Sequence, residues 1–173
     1  NLLNIMRQSA IISVMAVAMT FVLATAEIDL SVGAVAGLAS VMVAMTISRF
    51  GLVPGILAGL LSGAIVGTIN GLLVTRIGIP SFLVTLGMQG ITTGAAMWAT
   101  NTAPIPIANE TYVYLFGSGN FGPIPSLVFW TLLGLVIGHV VLRSTPYGRQ
   151  ALATGGNETA ARYSGINTKR IKL

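Results

Sequence analysis

The stretch Phe50–Thr75, FGLVPGILAGLLSGAIVGTINGLLVT, contains no charged residue and carries a glycine at every fourth position from Gly51 to Gly71. A helix of about 20 mostly apolar residues crosses the hydrocarbon core of a bilayer, so the stretch supplies one crossing. Each interval between the glycines is a G-x-x-x-G pair, a pattern that lets helices approach closely in lipid. The stretch therefore predicts a membrane-spanning helix with close helical neighbours.

The glycine repeat also predicts where this helix lies. Because a repeat of four residues exceeds the helical period, successive glycines drift by about 40° and wind partly round the helix. We therefore expect close neighbours on more than one side and a central position in a bundle. Close packing is the simpler interpretation of the glycines, and a pore lining is the alternative.

The composition extends this interpretation to the whole chain. Hydrophobic residues make up 54% of the 173 residues and charged residues only 8%, whereas a soluble domain has about 25% charged residues. Helices are expected because strands with open edges leave backbone groups unpaired in lipid. The predicted fold class is all-α, a polytopic transmembrane helix bundle with about five spans in this chain. The predicted spans are residues 8–26, 30–48, 52–75, 80–100 and 124–142.

The charges predict the orientation of the spans. The net charge of +5 raises the possibility of a nucleic-acid partner, but six of the nine basic residues follow position 142. Basic residues beside a span mark its cytoplasmic end. Residues 143–173 are therefore predicted to be a cytoplasmic loop, residues 101–123 an external loop with a short helix near Glu110–Leu115, and no nucleic acid is expected. Five spans place the amino terminus outside, so we expect a further span upstream in a longer protein.

Several kinds of chemistry have no signature in the sequence. The chain has no cysteine and only one histidine, His139, and we expect no metal site. No Walker A pattern is present, so ATP binding by a P-loop is not expected in this chain. No carboxylate pair falls within a span, although ion-coupled carriers usually need an ionisable relay there. The lack of such a relay weakens the interpretation as an ion-coupled carrier without excluding it.

Polar side chains within or beside the predicted spans are the candidates for a transport pathway. A polar but mostly uncharged path suits a neutral, hydroxyl-rich solute better than an ion. The alternative is that these side chains form hydrogen bonds between helices, and the sequence leaves both interpretations open. The candidate pathway residues are Asp29, Ser31, Asn70, Thr85 and Gln89.

Four motifs resemble, in the same order, those of the membrane subunits of bacterial ABC sugar importers, the ribose/galactose/xylose/arabinose permease group. The motifs are EIDLSVG at 27–33, NGLLVT at 70–75, IPSFLVTLG at 79–87 and GGNETAARYSGI at 155–166. The resemblance covers essentially the whole chain. Members of this family are longer, so we expect about one span before Asn1 and several after Leu173.

The resemblance implies that a short cytoplasmic coupling helix lies near 155–166 and contacts an ATPase subunit. Ala160, Ala161 and Gly165 match the Ala-Ala-x-x-x-Gly core of that helix, whereas Thr159 stands where the better-known form of the motif has Glu. We expect Gly165 to allow a sharp exit with positive φ. Arg162 and the basic residues after it either pair with acids on the ATPase or only determine topology. The implied coupling residues are Gly155, Asn157, Glu158, Ala160, Ala161, Arg162, Ser164 and Gly165.

The function that the resemblance implies is that of a permease subunit of an ATP-driven importer. The chain would form the transmembrane path for a monosaccharide delivered by a periplasmic or extracellular sugar-binding protein, in the bacterial inner membrane. It would catalyse nothing and bind no cofactor itself, since ATP and magnesium would be bound by the separate ATPase subunit. A second permease subunit, in a homodimer, is the further partner expected. The alternative is an ATP-independent carrier or channel for a small neutral polar solute.

Overall fold

The computed structural model describes residues 2–173 and consists almost entirely of helices. The helices are α1 (Leu2–Ala24), α2 (Val32–Phe50), α3 (Leu52–Leu72), α4 (Ser81–Thr100), α5 (Glu110–Phe116), α6 (Ser126–Ser144), α7 (Pro146–Gly156), α8 (Glu158–Tyr163) and α9 (Thr168–Lys172). A π-helical turn, Leu73–Ile77, continues α3. A short antiparallel ladder pairs β1 (Asn120–Phe121) with β2 (Ile124–Pro125), a hairpin that was not predicted from the sequence. The described residues therefore form an all-α fold apart from this short β-hairpin.

Four helices are long and apolar enough to cross a membrane. They are Leu3–Ala24, Val32–Phe50, Leu52–Ile77 and Ser126–Ser144, and between 6% and 17% of each apolar window is buried inside the protein. Most of their apolar side chains therefore point outward, as expected for a protein whose solvent is lipid. Since these four helices are predicted by hydropathy and found in the structure, the chain is a multi-pass helical membrane protein.

The helix α4 differs from these four. It has 20 residues, which is enough to span the hydrocarbon core. Its mean hydropathy is too low for it to be counted with the four candidate spans. Polar side chains such as Thr85, Gln89, Thr92 and Thr93 lower its mean hydropathy. Four candidate spans are thus found where the sequence predicted about five.

The chain divides into two compact units, Asn1–Asp29 with Asn120–Leu173, and Leu30–Gly119. In the first unit, α1 packs on α6 and α7, and α7 in turn packs on α8 and α9. In the second unit, α2 packs on α3 and α4. The short helix expected near Glu110–Leu115 is present as α5 and belongs to the second unit.

The helices α2 and α3 form a tight hairpin. Gly51 alone connects them, with φ 88°, a conformation that costs glycine little and other residues more. A Cβ atom at Gly59 would lie 2.6 Å from Val43 Cγ2, and one at Gly55 would lie 2.9 Å from Ile47 Cβ. At Gly67, by contrast, a Cβ would meet nothing within 4 Å. Part of the glycine repeat therefore serves close packing against α2.

The first unit is held by equally close contacts between α1 and α6. A Cβ atom at Gly138 would lie 2.7 Å from Val17 Cγ1. The Thr131 hydroxyl donates to the carbonyl oxygen of Ala10 at 3.1 Å, a hydrogen bond between the two helices. After α6, Thr145 caps α7 by accepting a hydrogen bond from the Gly148 amide at 3.2 Å. These contacts position α7, and with it α8, at one end of α1 and α6.

Candidate functional site

The implied coupling segment folds as a short helix, α8, that directly follows α7. Asn157 is the only residue between them, and its side chain accepts a hydrogen bond from the Ala160 amide at 2.9 Å. An asparagine in this position satisfies one of the unpaired amides at the start of a helix. The extended backbone of Asn157, with φ −158° and ψ 101°, separates the axis of α8 from that of α7. The sequence Gly-Asn-Glu-Thr thus specifies a helix start by local chemistry.

The end of α8 is formed by Gly165. Its φ is 85°, so the positive φ predicted from the sequence is confirmed. The Ile166 amide donates to the Ala161 carbonyl at 3.0 Å, and the Gly165 amide donates to the Arg162 carbonyl at 3.0 Å. This pattern satisfies carbonyl groups at the helix end while the chain reverses direction. The exit from α8 is therefore sharp.

One face of α8 is exposed. Ala161 is buried, with 4% of its surface exposed, whereas Tyr163 is 90% exposed. Ala160, Arg162, Ser164 and Gly165 are also exposed. A large aromatic side chain is thus exposed beside the small residues of α8.

A network of polar side chains surrounds Glu158 at the start of α8. One carboxylate oxygen, Oε1, accepts hydrogen bonds from Arg162 Nη2 and, at 3.1 Å, from the Thr168 hydroxyl. Arg162 Nε in turn donates to the same hydroxyl at 3.0 Å. Only 2% of Thr168 is exposed. The network therefore ties α8 to the first residue of α9.

Lys172 extends this network to the end of α1. Its Nζ atom lies 2.7 Å from Glu158 Oε2 and 2.6 Å from Glu27 Oε1. The side chains of Lys172 and Glu27 are 13% and 20% exposed, so this pair is partly shielded from water. One ammonium group thus bridges two carboxylates that are far apart in the sequence.

The titration of these groups reflects their contacts. The hydrogen bond from Lys172, with a further one from Arg162, lowers the pKa of Glu158 from 4.5 to about 2, although burial acts in the opposite direction. For Lys172, burial by itself would lower the pKa, but hydrogen bonds to Glu158 and Glu27 outweigh it and raise the pKa above its usual value. Glu158 and Lys172 are therefore both ionised near neutral pH.

The helix α7 touches the end of α1 at Gly155. A Cβ atom at Gly155 would overlap the Ala24 carbonyl oxygen and would lie 3.0 Å from both the Ala24 carbonyl carbon and the Ala26 amide nitrogen. Only glycine permits the two backbones to approach this closely. Of the implied coupling residues, Gly155 therefore has a packing role against α1, and Glu158 and Arg162 belong to the charged network.

The candidate pathway residues separate into a buried cluster of three and two residues outside it. Ser31, Asn70 and Thr85 are at most 6% exposed and lie where α2, α3 and α4 meet. Asn70 Nδ2 donates to Ser31 Oγ at 3.2 Å, and the Leu30 amide donates to Thr85 Oγ1 at 3.0 Å. These bonds connect helices, which was the alternative interpretation of the polar residues.

The remaining members of the candidate pathway are placed differently. Gln89 is exposed on α4, four residues after Thr85, and Asp29 is half-buried before α2. Asn70 Oδ1 is buried and accepts no hydrogen bond from the described residues. A buried carbonyl oxygen without a partner is costly. The cluster at Asn70 is thus the part of the second unit with unused capacity for hydrogen bonding.

Sequence reasoning did not find Thr168, Lys172 or Glu27 as members of one network. Lys172 was counted only among the basic residues after position 142, and Glu27 only as part of a motif. The two are separated by 145 positions in the chain, so no local spacing connects them. The one local signal was Asn167, whose side chain accepts a hydrogen bond from the Arg170 amide at 3.1 Å and starts α9.

Residues 1–173 match the family described as "Branched-chain amino acid transport system / permease component". A ribose import permease protein of Bacillus subtilis (strain 168) is 45% identical over 175 residues, covering 100% of this chain and 54% of the relative. The L-arabinose ABC transporter permease protein of Azospirillum brasilense is 35% identical over 174 residues, covering 100% of this chain and 51% of the relative. A galactofuranose transporter permease protein of Escherichia coli (strain K12) is 35% identical over 172 residues, covering 99% and 50%.

The chain spans about half the length of the curated relatives it matches. No solved structure matches the chain.

Proposed function

The chain belongs to the permease-component family of branched-chain amino acid transport systems, and we propose from this premise that it is part of the permease subunit of an ATP-driven sugar importer. The resemblance to sugar-importer permeases is confirmed by relatives named for ribose, arabinose and galactofuranose. The observation that carries the proposal is 45% identity to a ribose import permease along the entire chain. In this proposal the permease forms the transmembrane path, and the sugar is delivered by an external binding protein.

The proposed substrate is a monosaccharide rather than a branched-chain amino acid. An amino acid zwitterion requires charged or helix-dipole partners at depth, since its two charges are costly in lipid. The polar groups that this chain supplies between α2, α3 and α4 are hydroxyl and amide groups. Such groups suit the hydroxyls of a neutral sugar. The names of the relatives, which refer to sugars, support the same choice.

The proposed partner at α8 is an ABC ATPase subunit, which would bind the ATP and magnesium, while this chain carries no catalytic group. Three features support the position of the contact: the sharp exit at Gly165, the exposed Tyr163 and the small Ala160 on the exposed face. Small residues let a helix sit in a cleft, and an aromatic side chain provides buried area. The closure of two ATPase subunits would then move α8. A second permease subunit, in a homodimer, completes the proposed transporter.

We further propose that α4 is the fifth span, that the segment from α7 to α9 is cytoplasmic, and that the membrane is the bacterial inner membrane. The length of α4 is sufficient for a crossing. Its polar residues are acceptable at depth where they face other helices, as Thr85 does. The basic residues after position 142 support the cytoplasmic side.

For the pathway, we propose distinct roles for the five candidate residues. Gln89, exposed on α4, contacts the sugar, and Asp29 is a further pathway residue on the cytoplasmic side. Ser31, Asn70 and Thr85 hold the helices around the path through their hydrogen bonds. Gln89→Ala is then expected to raise the KM for uptake, whereas Asn70→Ala is expected to lower the amount of folded protein.

The proposal is tested by transport in proteoliposomes. The full-length permease is reconstituted with candidate ATPase subunits and sugar-binding proteins from the same organism, and uptake of labelled ribose, arabinose, galactose and leucine is measured with and without ATP. ATP-dependent uptake of one sugar is the expected result. Uptake of leucine instead would reject the substrate class, and uptake that does not require an ATPase would favour the carrier or channel.

The contact at α8 is tested by co-purification with the ATPase. Ala160 is exposed, so Ala160→Trp adds bulk to the proposed contact without disturbing the packing of α8. Gln150→Trp adds the same bulk at an exposed position of α7 and serves as the control. We expect only Ala160→Trp to prevent binding of the ATPase. If the Ala160→Trp permease binds and stimulates the ATPase normally, α8 is not the coupling helix.

The topology is tested by cysteine labelling, and these 173 residues contain no cysteine of their own. Single cysteines are introduced at Arg76, Asn101 and Lys169, all of which are exposed. A membrane-impermeant maleimide is expected to label position 101 from outside and positions 76 and 169 from inside. If positions 76 and 101 are labelled from the same side, α4 does not cross the membrane.

A further inference from the structure

The segment that carries α8 is attached to the end of α1 at two separate points. The first is the backbone contact of Gly155 with Ala24 and Ala26. The second is the bridge from Lys172 to Glu27. The first attachment belongs to α7 and the second to α9, so they lie on either side of α8 in the sequence. α8 is therefore enclosed between two anchors on the same helix end.

α8 itself makes few contacts that would fix its position. It has six residues, too few for a helix to be stable without tertiary contacts. Ala161 is its buried hydrophobic residue, and a single methyl group contributes little apolar area. Glu158 is therefore its principal specific contact with the rest of the segment, and Lys172 connects that contact to α1.

The charges of the network are balanced. Glu27 and Glu158 carry two negative charges, and Lys172 and Arg162 carry two positive charges within 4 Å of them. If Lys172 is neutralised, Glu27 and Glu158 lose their shared cation, and Arg162 compensates only Glu158. Opposite charges that are partly shielded from water interact more strongly than exposed pairs, and a carboxylate left without its partner is costly.

We propose that Lys172 is the positioning residue that ties α8 to the end of α1, so that movement of α8 is passed to α1 through Glu27. This inference rests on the proposed function, in which an ATPase moves α8. Lys172 touches neither sugar nor ATP. Its removal leaves α8 able to bind the ATPase but loosens the connection through which binding changes the membrane helices.

The test uses the full-length transporter with its ATPase and binding protein in proteoliposomes, and measures sugar uptake per ATP hydrolysed. Lys172→Met removes the charge while keeping an unbranched side chain, and Lys172→Arg keeps the charge. Arg149→Met removes a positive charge from an exposed position of α7 and is the matched control. We expect Lys172→Met to lower the uptake per ATP about fivefold or more, as for a typical coupling between two sites. Lys172→Arg and Arg149→Met are expected to remain within about twofold of the wild-type ratio.

Two results would overturn the inference: a wild-type ratio for Lys172→Met, or an equal loss for Arg149→Met. If Lys172→Met does not fold, Glu27→Gln breaks the same connection while leaving the bond between Lys172 and Glu158. The same fivefold loss is expected for Glu27→Gln, and a wild-type ratio for it would also overturn the inference.

A second measurement does not depend on transport. The unfolding temperatures of Lys172→Met, Glu27→Gln and the double variant of the full-length protein form a double-mutant cycle. We expect the double variant to lose less than the sum of the single losses, whereas the pair Arg149→Met and Glu27→Gln is expected to be additive. Additive losses for Lys172 and Glu27 would reject the bridge even if sugar transport is confirmed. Conversely, a coupled cycle in a protein that transports no sugar would reject the proposed function and leave the bridge standing.

Discussion

The contact of Gly155 with the end of α1 leads to a prediction that two neighbouring glycines can test. Gly155 and Gly156 are consecutive residues at the end of α7. A Cβ atom at Gly155 would collide with backbone atoms of Ala24 and Ala26, whereas one at Gly156 would meet nothing within 4 Å. We therefore expect Gly155→Ala to destabilise the protein and Gly156→Ala to be neutral or slightly stabilising.

The magnitude follows from the nature of the colliding atoms. Backbone atoms at 3.0 Å or less cannot rotate away as the end of a flexible side chain can. Adding a methyl group to a tightly packed site costs about 1–3 kcal/mol. The gain in helix propensity from glycine to alanine, at most about 1 kcal/mol, applies to both variants and cancels in the comparison. The two variants should therefore differ by about 1–3 kcal/mol.

The assay is thermal unfolding of the full-length protein in detergent, followed by intrinsic fluorescence. A difference of 1 kcal/mol corresponds to about 2–4 °C in a domain of 150–250 residues and to less in a longer protein, so Gly155→Ala should unfold measurably below Gly156→Ala. Equal unfolding temperatures, or a more stable Gly155→Ala, would refute the close approach of α7 to α1.

Three further predictions concern other parts of the chain. Gly59→Ala should destabilise the hairpin of α2 and α3 by about 1–3 kcal/mol, because the new Cβ would lie 2.6 Å from Val43 Cγ2, whereas Gly67→Ala, in open space, should not; denaturant unfolding compares the two. Gly165→Ala should cost about 1–2 kcal/mol because of the φ of 85°, and Gly165→Asn should cost less, as measured by thermal unfolding. Because the pKa of Glu158 falls from 4.5 to about 2, its contribution to stability is present above pH 4.5 and is lost as the pH falls towards 2; Glu158→Gln should flatten this acid limb of a stability profile.

The features that could be predicted from the sequence are those produced by local chemistry. The positive φ of Gly165 was expected from the family motif that the sequence resembles, and a short helix was expected near Glu110–Leu115 in the external loop. The structure has φ 85° at Gly165 and α5 at Glu110–Phe116. Long apolar runs predicted helices, and α1, α2 and α3 lie within or close to them. A helix start or a left-handed turn depends on a few neighbouring residues, so a single sequence contains the necessary information.

The count of spans illustrates where local reasoning becomes insufficient. The polar residues of α4 lower its hydropathy, yet Thr85 is 3% exposed and bonded to the Leu30 amide. A hydropathy average counts such a side chain as if it faced lipid, even where another part of the protein satisfies its hydrogen bond. Whether a threonine is satisfied by another helix depends on packing, which the sequence does not specify directly. For the same reason, the sequence could not decide whether Ser31 and Asn70 line a transport path or form hydrogen bonds between helices.

The sequence by itself determined that this chain is a helical membrane protein and that it resembles sugar-importer permeases, a resemblance that implied a short helix near 155–166. Hydropathy, charge position and turn chemistry are properties of neighbouring residues, so they can be read along the chain. Only the tertiary structure decided that Lys172 bridges Glu158 and Glu27, and that Gly155 lies against Ala24. Both contacts form only when folding brings α7 beside the end of α1. The spacing of these residues along the sequence does not predict that they meet.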